Sequence, residues 1–130
     1  MFDFTARFGC VDESLAGTVL ESFSEMMIEG SRRFGKDLTH PTRYKDYMKA
    51  AGFIDIVEEQ FQWPINTWPK GKYYKTLGLW YNQDLLDGLS GMAMAICTRG
   101  LKMSREEVEL LLEKVRKDLK DTRIHAYLPM

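Results

Sequence analysis

The segment from Ser104 to Lys120, SREEVELLLEKVRKDLK, constrains the fold more than any other part of the sequence. Ser104 is followed three residues later by Glu107, which is the capping-box pattern that begins a helix. Apolar side chains recur at helical spacing and so form one stripe on this predicted helix; they are Val108, Leu111, Leu112, Val115 and Leu119. We expect the stripe to be buried against the rest of the chain, while the charged face stays in solvent.

Other periodic segments predict further helices and short strands. Helices are predicted over residues 15–34, ending at Gly35, over residues 42–51, ending at Gly52, and over residues 82–101. His40-Pro41 marks a boundary, because a residue before proline avoids helical angles. Strands are predicted near the N-terminus over residues 2–8, over residues 53–63 and over residues 124–128.

The segment FIDIVEEQFQW, from Phe53 to Trp63, gives the strongest strand pattern. Its first residues are apolar on both faces, and its later residues alternate apolar and polar. Pro64 should stop the strand. In the helix predicted after it, Gly88 and Gly91 indicate either a close approach by another backbone or ligand, or a break in the helix.

Composition excludes several classes of protein. A chain of 130 residues suits one domain with a real core, and a net charge of −1 gives no broad basic surface for nucleic acid. No N-terminal signal pattern and no apolar run long enough for a membrane span are present, so we expect a cytoplasmic or nuclear protein. Cys10 and Cys97 predict two reduced, buried thiols, because they form no metal-site spacing with the two histidines.

Motifs for an autonomous active site are not found in the sequence. It contains no GxGxxG or P-loop pattern for a nucleotide and no GxSxG nucleophile motif. The adjacent acid pair Asp12-Glu13 is explained more simply as part of a turn. His125 lies in a predicted strand, where it is either a packed, hydrogen-bonded residue or a base. Aromatic residues between 61 and 80 are interpreted as core, as interface or as the wall of a ligand pocket.

Several motifs together resemble the C-terminal half of fungal class I S-adenosylmethionine-dependent methyltransferases of secondary-metabolite clusters. The stretches that carry the resemblance are AGFIDIVEEQFQWPINTWPKGK, LGLW, SREEVELLLEKVRKDLKD and IHAY. Asp12 to Leu15 resembles the acidic turn after the family's fifth strand, and Gly35 to Leu38 resembles its GxDL turn. Trp68-Pro69-Lys70 matches the family's WPKD motif, with Gly71 in place of the aspartate.

The resemblance implies a helix-rich α/β chain, residues 1–130, that forms a single partial domain. It would hold the C-terminal strands and a helical insertion of an incomplete Rossmann-like methyltransferase fold. The glycine-rich loop and the ribose-binding carboxylate of the cofactor half are not in the sequence. We therefore expect no cofactor bound by this chain alone, and S-adenosylmethionine only if a partner chain supplies the site. An open sheet edge would invite a second copy or a partner chain.

Three functional hypotheses follow from this resemblance. The first is a methyltransferase-like fragment without autonomous methyl transfer, and the second is the substrate-cap subunit of a split enzyme. The third is a small-molecule-binding or cyclisation protein derived from the same fold, with a small aromatic or polyketide-like ligand. The hypotheses differ on whether the chain is an enzyme. Candidate substrate-binding residues are Trp63, Trp68, Tyr74, Trp80 and His125.

Overall fold

A computed structural model describes residues 3–130 and consists of four α-helices and a small sheet. The strands are β1 (Gly9–Cys10), β2 (Gln62–Pro64) and β3 (Ala126–Pro129), and the helices are α1 (Val19–Arg33), α2 (Tyr44–Ala50), α3 (Lys72–Ala95) and α4 (Arg105–Lys120). A 3-10 turn, His40–Arg43, precedes α2, and a π-helical turn, Ile96–Gly100, follows α3. The expected helix-rich α/β class is confirmed at this coarse level.

The three strands form one sheet in which β3 is the central strand. Its neighbours β1 and β2 both pair with it in antiparallel fashion, so β1 and β2 run parallel to each other. Cys10 lies opposite Ala126, and Pro64 lies opposite Tyr127. The final strand predicted over residues 124–128 is thus confirmed. Of the N-terminal strand predicted over residues 2–8, residue 2 lies outside the described residues, and residues 3–8 are not a strand.

Helix α4 begins and packs as its sequence predicts. Ser104 caps it in a complete capping box, with the Glu107 backbone N–H bonded to the Ser104 hydroxyl and the Ser104 backbone N–H bonded to the Glu107 carboxylate. Four residues of the predicted stripe are buried, namely Val108, Leu112, Val115 and Leu119. Leu111, at the margin of the stripe, is half-buried. These side chains join α1, α3 and the sheet in one core.

Helix α1 is shorter than predicted at its start and ends where predicted. Thr18 is its N-cap and accepts a hydrogen bond from the Glu21 backbone N–H, so the four preceding residues form a turn instead of helix. At the other end, Gly35 has φ +82°, a left-handed conformation that glycine adopts without strain. The boundary predicted at His40-Pro41 is confirmed, since a short 3-10 helix begins at His40. The reason differs from the one predicted, because His40 is itself in the helix and Pro41 lies in its first turn.

Helix α3 begins ten residues before the predicted start at residue 82. It takes in the second half of the aromatic stretch and continues without a break through Gly88 and Gly91. A β-carbon at Gly91 would meet nothing within 4 Å, so no backbone approaches there. Close approaches occur instead at Gly78, against the Asn66 backbone carbonyl, and at Gly100, against the Gly30 backbone. The prediction of a close backbone approach or a helix break at Gly88 and Gly91 is therefore wrong.

The strand predicted over residues 53–63 is wrong for most of its length. Only Gln62 and Trp63 of that segment lie in β2, and Pro64 is the last strand residue. Phe53, Ile54 and Val57 were expected to be buried, and they are 64%, 84% and 83% exposed. The physical reason is that a strand requires a pairing partner, and β3 lies alongside only the end of this segment.

Candidate functional site

The carboxyl ends of β1 and β2 lie at the same edge of the sheet, next to the first residue of β3. This follows from the register, which places Cys10 opposite Ala126 and Pro64 opposite Tyr127. In open α/β sheets, ligands bind in the crevice outside the carboxyl ends of the parallel strands. Five side chains at this edge form what we call the carboxyl-end cluster: Cys10, Asp12, Ser14, Trp68 and His125.

Asp12 is the centre of the carboxyl-end cluster. Its Oδ2 lies 2.6 Å from His125 Nδ1, and its Oδ1 accepts hydrogen bonds from the Ser14 backbone N–H at 2.9 Å and from the Cys10 thiol at 3.4 Å. The pKa of Asp12 lies well below its usual value because its carboxylate accepts hydrogen bonds. The largest effect comes from the Ser14 side chain, followed by the Ser14 backbone N–H and the His125 side chain. The carboxylate is therefore charged at neutral pH.

Ser14 joins this turn to the strand that carries His125. Its hydroxyl accepts a hydrogen bond from the His125 backbone N–H at 2.8 Å and lies 3.5 Å from Cys10 Sγ. The Cys10 thiol also lies 3.5 Å from the His125 carbonyl oxygen. These contacts hold the backbone N–H and the carbonyl of His125, which lies one residue before the start of β3.

Trp68 packs against His125 in the carboxyl-end cluster. Its indole Nε1 donates to the Ala126 carbonyl at 2.8 Å, and its ring centroid lies 5.3 Å from that of His125. The loop that carries it is anchored by the buried Asn66, whose Oδ1 accepts from the Trp68 backbone N–H at 3.0 Å. The side-chain amide of Asn66 donates to the carbonyls of Leu119 and Asp121, which ties the loop to the end of α4.

A carboxylate that holds one imidazole nitrogen leaves the other nitrogen to act on a ligand. With Asp12 accepting from Nδ1–H, Nε2 of His125 is the acceptor of the neutral imidazole. This is the orientation that a carboxylate gives to a histidine base in hydrolase triads. The His125 side chain is 37% exposed, so a ligand resting on the Trp68 indole can reach it. The arrangement can accept a proton from, or hydrogen-bond to, a polar group on an aromatic or flat ligand.

A separate apolar cavity of about 520 Å³ lies between the sheet and helices α1, α3 and α4. Trp63 packs edge-on against Tyr81 in its wall, with ring centroids 5.2 Å apart. Burial, and secondarily the charge of Asp84, raise the pKa of Tyr81, so its hydroxyl stays protonated. The volume lies within the range of small-molecule sites, and the lining is mostly apolar with few polar groups.

The five predicted site residues do not form one wall. Trp68 and His125 meet in the carboxyl-end cluster, whereas Trp63 lines the apolar cavity. Tyr74 and Trp80 lie on the surface of α3, where they are 51% and 71% exposed. Ligand binding by any of the five stays a prediction.

Sequence reasoning missed the residues that organise the cluster. Asp12 was interpreted as part of an acidic turn, and its partner His125 is 113 residues away in the chain. Cys10 was expected to be buried and is half-buried, whereas Cys97 is buried; both thiols are free, as predicted. Spacing within the sequence could not pair Asp12 with His125, because the contact depends on β1 and β3 lying side by side.

Whether the described residues hold S-adenosylmethionine stays a prediction, and two features of the structure bear on it. Gly9, the glycine of β1, leaves room for the Tyr127 ring and not for a ligand. The apolar cavity has few polar groups, while this cofactor carries a sulfonium, an amino acid and a ribose that need polar partners. Within residues 3–130, no group of three or more metal-ligating side chains could hold an ion. Among the same residues, no helix is long and apolar enough to cross a membrane.

Comparison with known proteins relates the chain to fungal secondary metabolism. It is 27% identical over 111 residues to the probable methyltransferase tdiE of Emericella nidulans, which covers 85% of this chain and 35% of that protein. It is 32% identical over 120 residues to a secondary metabolism regulator of Cochliobolus heterostrophus, which covers 91% of this chain and 39% of that protein. This chain is a homologue of fungal secondary-metabolism methyltransferases. The resemblance inferred from the motifs is thereby confirmed.

A third relative extends the same relationship. The protein-methionine methyltransferase laeA of Emericella nidulans is 26% identical over 127 residues, which covers 96% of this chain and 33% of that protein. The chain thus spans between about a third and two-fifths of the length of these relatives. No protein-family profile matches the chain. No solved structure matches it either.

Proposed function

We propose that this chain forms the substrate-side part of a Rossmann-like, S-adenosylmethionine-dependent methyltransferase fold and transfers no methyl group by itself. The observation that carries the proposal is the alignment: nearly the whole chain matches about a third of each methyltransferase relative. Consistent with this, the 130 residues contain no glycine-rich nucleotide loop. A cofactor would have to be held by residues other than these.

The sheet indicates how the cofactor-binding part would join. β1 is an edge strand of only two residues, and β3 covers one of its sides. We propose that a strand of the cofactor-binding part pairs with the outer edge of β1, which would extend the sheet on that side. The carboxyl-end cluster, at the end of β1, would then face the new crevice. His125 and Trp68 would contact the substrate there, and Asp12 would orient His125.

Cofactor binding by the purified 130-residue protein tests this proposal. We expect titration calorimetry with S-adenosylmethionine to show no binding tighter than about 1 mM. The probable methyltransferase tdiE of Emericella nidulans, assayed in the same buffer, is the comparison protein. Binding of the cofactor to the isolated chain at micromolar affinity would overturn the proposal, because a complete cofactor site would then lie within these residues.

The apolar cavity favours a second candidate, which is small-molecule binding without methyl transfer. Ala6 and Trp63 both line this cavity. We expect the indole fluorescence of Trp63 to respond to 2-naphthol in a variant that lacks the other two tryptophans (Trp68→Phe, Trp80→Phe). Ala6→Leu fills part of the cavity and should weaken the response about tenfold, whereas Ala16→Leu, at an exposed position outside it, should not. Equal responses in the two variants would exclude this candidate.

A further inference from the structure

We propose that the exposed face of α3 is a contact surface between two copies of this chain, which pair about a two-fold axis near Trp80. Six residues form this surface, which we call the outer stripe: Lys72, Tyr73, Thr76, Trp80, Gln83 and Asp87. All six are exposed, and helical spacing places them within about 100° of one another around α3. The inference concerns α3 and does not depend on the proposed function.

Large aromatic side chains distinguish the outer stripe from an ordinary solvated helix face. Tyr73 and Trp80 are 74% and 71% exposed, and they lie about two helical turns apart on the same side of α3. Tyr73 packs edge-on against Tyr74, with ring centroids 5.2 Å apart. Tyrosine and tryptophan are enriched at protein–protein interfaces, because each supplies apolar contact area together with a hydrogen-bonding group. The aromatic pair therefore has the composition of an interface core.

The outer stripe lies away from the sheet and from the core. α3 packs on β2 and α4 through its opposite face, where Gly78, Leu85 and Leu89 are buried. Gly78 meets the backbone of Asn66, just after β2, and β3 separates β2 from β1. A strand added at the outer edge of β1 would therefore lie at the opposite edge of the sheet from α3.

Charge along the outer stripe is self-complementary. Lys72 lies near one end and Asp87 near the other, and Trp80 lies between them, about 10–12 Å from each along the helix axis. A two-fold axis at Trp80 sets the two α3 helices antiparallel, so each Lys72 faces the Asp87 of the second copy. Among residues 3–130, neither of these side chains forms a salt bridge, although Gln83 donates to Asp87 Oδ1 at 2.9 Å. A parallel pair would instead place like charges together, so charge selects the antiparallel arrangement.

The size of the outer stripe predicts a weak, reversible dimer. Six side chains from each copy bury less than the roughly 1,600 Å² of a standard interface, which places the pair among transient contacts. We therefore expect a dissociation constant of about 10–100 μM. The Trp80 rings, which meet at the axis, supply most of the apolar contact, and the two Lys72–Asp87 pairs set the orientation.

Sedimentation of the 130-residue protein in the analytical ultracentrifuge, between about 5 and 500 μM, tests the proposal. We expect a monomer–dimer equilibrium that added salt weakens, because the charge pairs are exposed to solvent. Trp80→Ala should weaken the dimer about tenfold or more. Leu110→Ala, which shortens a side chain that is 62% exposed on α4, is the matched control and should leave the equilibrium unchanged. A protein that stays monomeric at about 500 μM, or a dimer that Trp80→Ala leaves intact, overturns the proposal.

Charge reversal separates this two-fold pairing from any other association. Lys72→Glu and Asp87→Lys, each alone, bring like charges together twice in the dimer and should weaken it about tenfold or more. An equimolar mixture of the two variants should restore a dimer, and so should the double variant Lys72→Glu, Asp87→Lys, because both facing pairs are again opposite in sign. Lys114→Glu, at an exposed lysine of α4, is the matched control and should dimerise like the unmodified protein. The proposal is equally overturned if Lys72→Glu and Lys114→Glu dimerise alike, or if the mixture stays monomeric.

Discussion

At the scale of single residues, Asp12 shows how one exposed side chain joins distant parts of the chain. Its carboxylate accepts bonds from Ser14, Cys10 and His125. Because its pKa is held below the ordinary 3.8, the folded state gains stability from the charged form at pH values above that figure. This gain is lost as the pH falls through the lowered pKa, since protonation removes the acceptor.

Replacing Asp12 by asparagine should therefore change how the free energy of unfolding falls as the pH is lowered. We expect Asp12→Asn to unfold at a lower urea concentration at pH 7 and to lose less further stability than the unmodified chain below about pH 4. Glu13→Gln, at the next residue, is the matched control, because its side chain makes none of these bonds. The measurement is urea unfolding followed by circular dichroism from pH 7 down to about pH 2. Parallel curves for Asp12→Asn and the unmodified protein would contradict the assignment.

Two glycines of α3 give a second prediction at this scale. A β-carbon at Gly78 would overlap the Asn66 backbone carbonyl, whereas one at Gly91 would meet nothing within 4 Å. Gly78→Ala should destabilise the protein by about 1–3 kcal/mol, because the backbone of the Asn66 loop must shift. Gly91→Ala should stabilise it by up to about 1 kcal/mol through helix propensity. Urea titration measures the change in the free energy of unfolding for each variant. If both substitutions stabilised the protein, or both destabilised it, the close approach at Gly78 would be refuted.

At the scale of elements, α4 is the helix whose packing follows most directly from its sequence. Both its cap and its apolar stripe are local patterns, so neither depended on the rest of the fold to be recognised. The segment over residues 53–61 is the opposite case. Its apolar and polar residues fit a strand, but a strand forms only where a neighbour supplies hydrogen bonds, and that neighbour is not encoded within the segment.

Two leucines of α4 test this account of the helix. Leu112 is fully buried, and Leu110, two positions earlier, is 62% exposed. Leu112→Ala should cost about 2–5 kcal/mol of unfolding free energy, because it leaves a cavity in the core. Leu110→Ala should change it by no more than about 0.5 kcal/mol. Thermal and urea unfolding of both variants measure the difference, and similar losses in the two would mean that the helix packs on another face.

At the scale of the whole molecule, the apolar surface is unevenly distributed. The core is continuous across the sheet and helices α1, α3 and α4, yet large apolar side chains near residues 53–61 lie outside it. Exposed apolar patches on a protein surface mark interaction sites or aggregation-prone segments.

Two isoleucines distinguish surface from core in this part of the molecule. Ile54 is 84% exposed and Ile65 is fully buried. Ile54→Lys should leave the free energy of unfolding, measured by urea titration, within about 0.5 kcal/mol. Ile65→Ala should cost about 2–5 kcal/mol. If Ile54→Lys destabilised the protein as strongly as Ile65→Ala, residues 53–60 would have to be packed in solution.

Sequence patterns alone predicted several local elements and the family relationship. Capping and periodicity predicted α4, the glycine at residue 35 predicted the end of α1, and the motifs around Trp68 and in α4 identified the relatives. The start of α4 and the end of α1 depend on residues within a few positions of one another, and short-range sterics and hydrogen bonds decide them.

The tertiary structure shows which residues distant in the sequence come into contact. It joined Asp12 to His125, separated Trp63 from Trp68 and, among residues 3–130, gave residues 53–60 no strand partner. It also moved the start of α3 back to Lys72, where Gly78 packs on the Asn66 loop. The physical reason is common to all four: each depends on strand pairing or on packing between elements far apart in the chain, and no local pattern specifies such contacts.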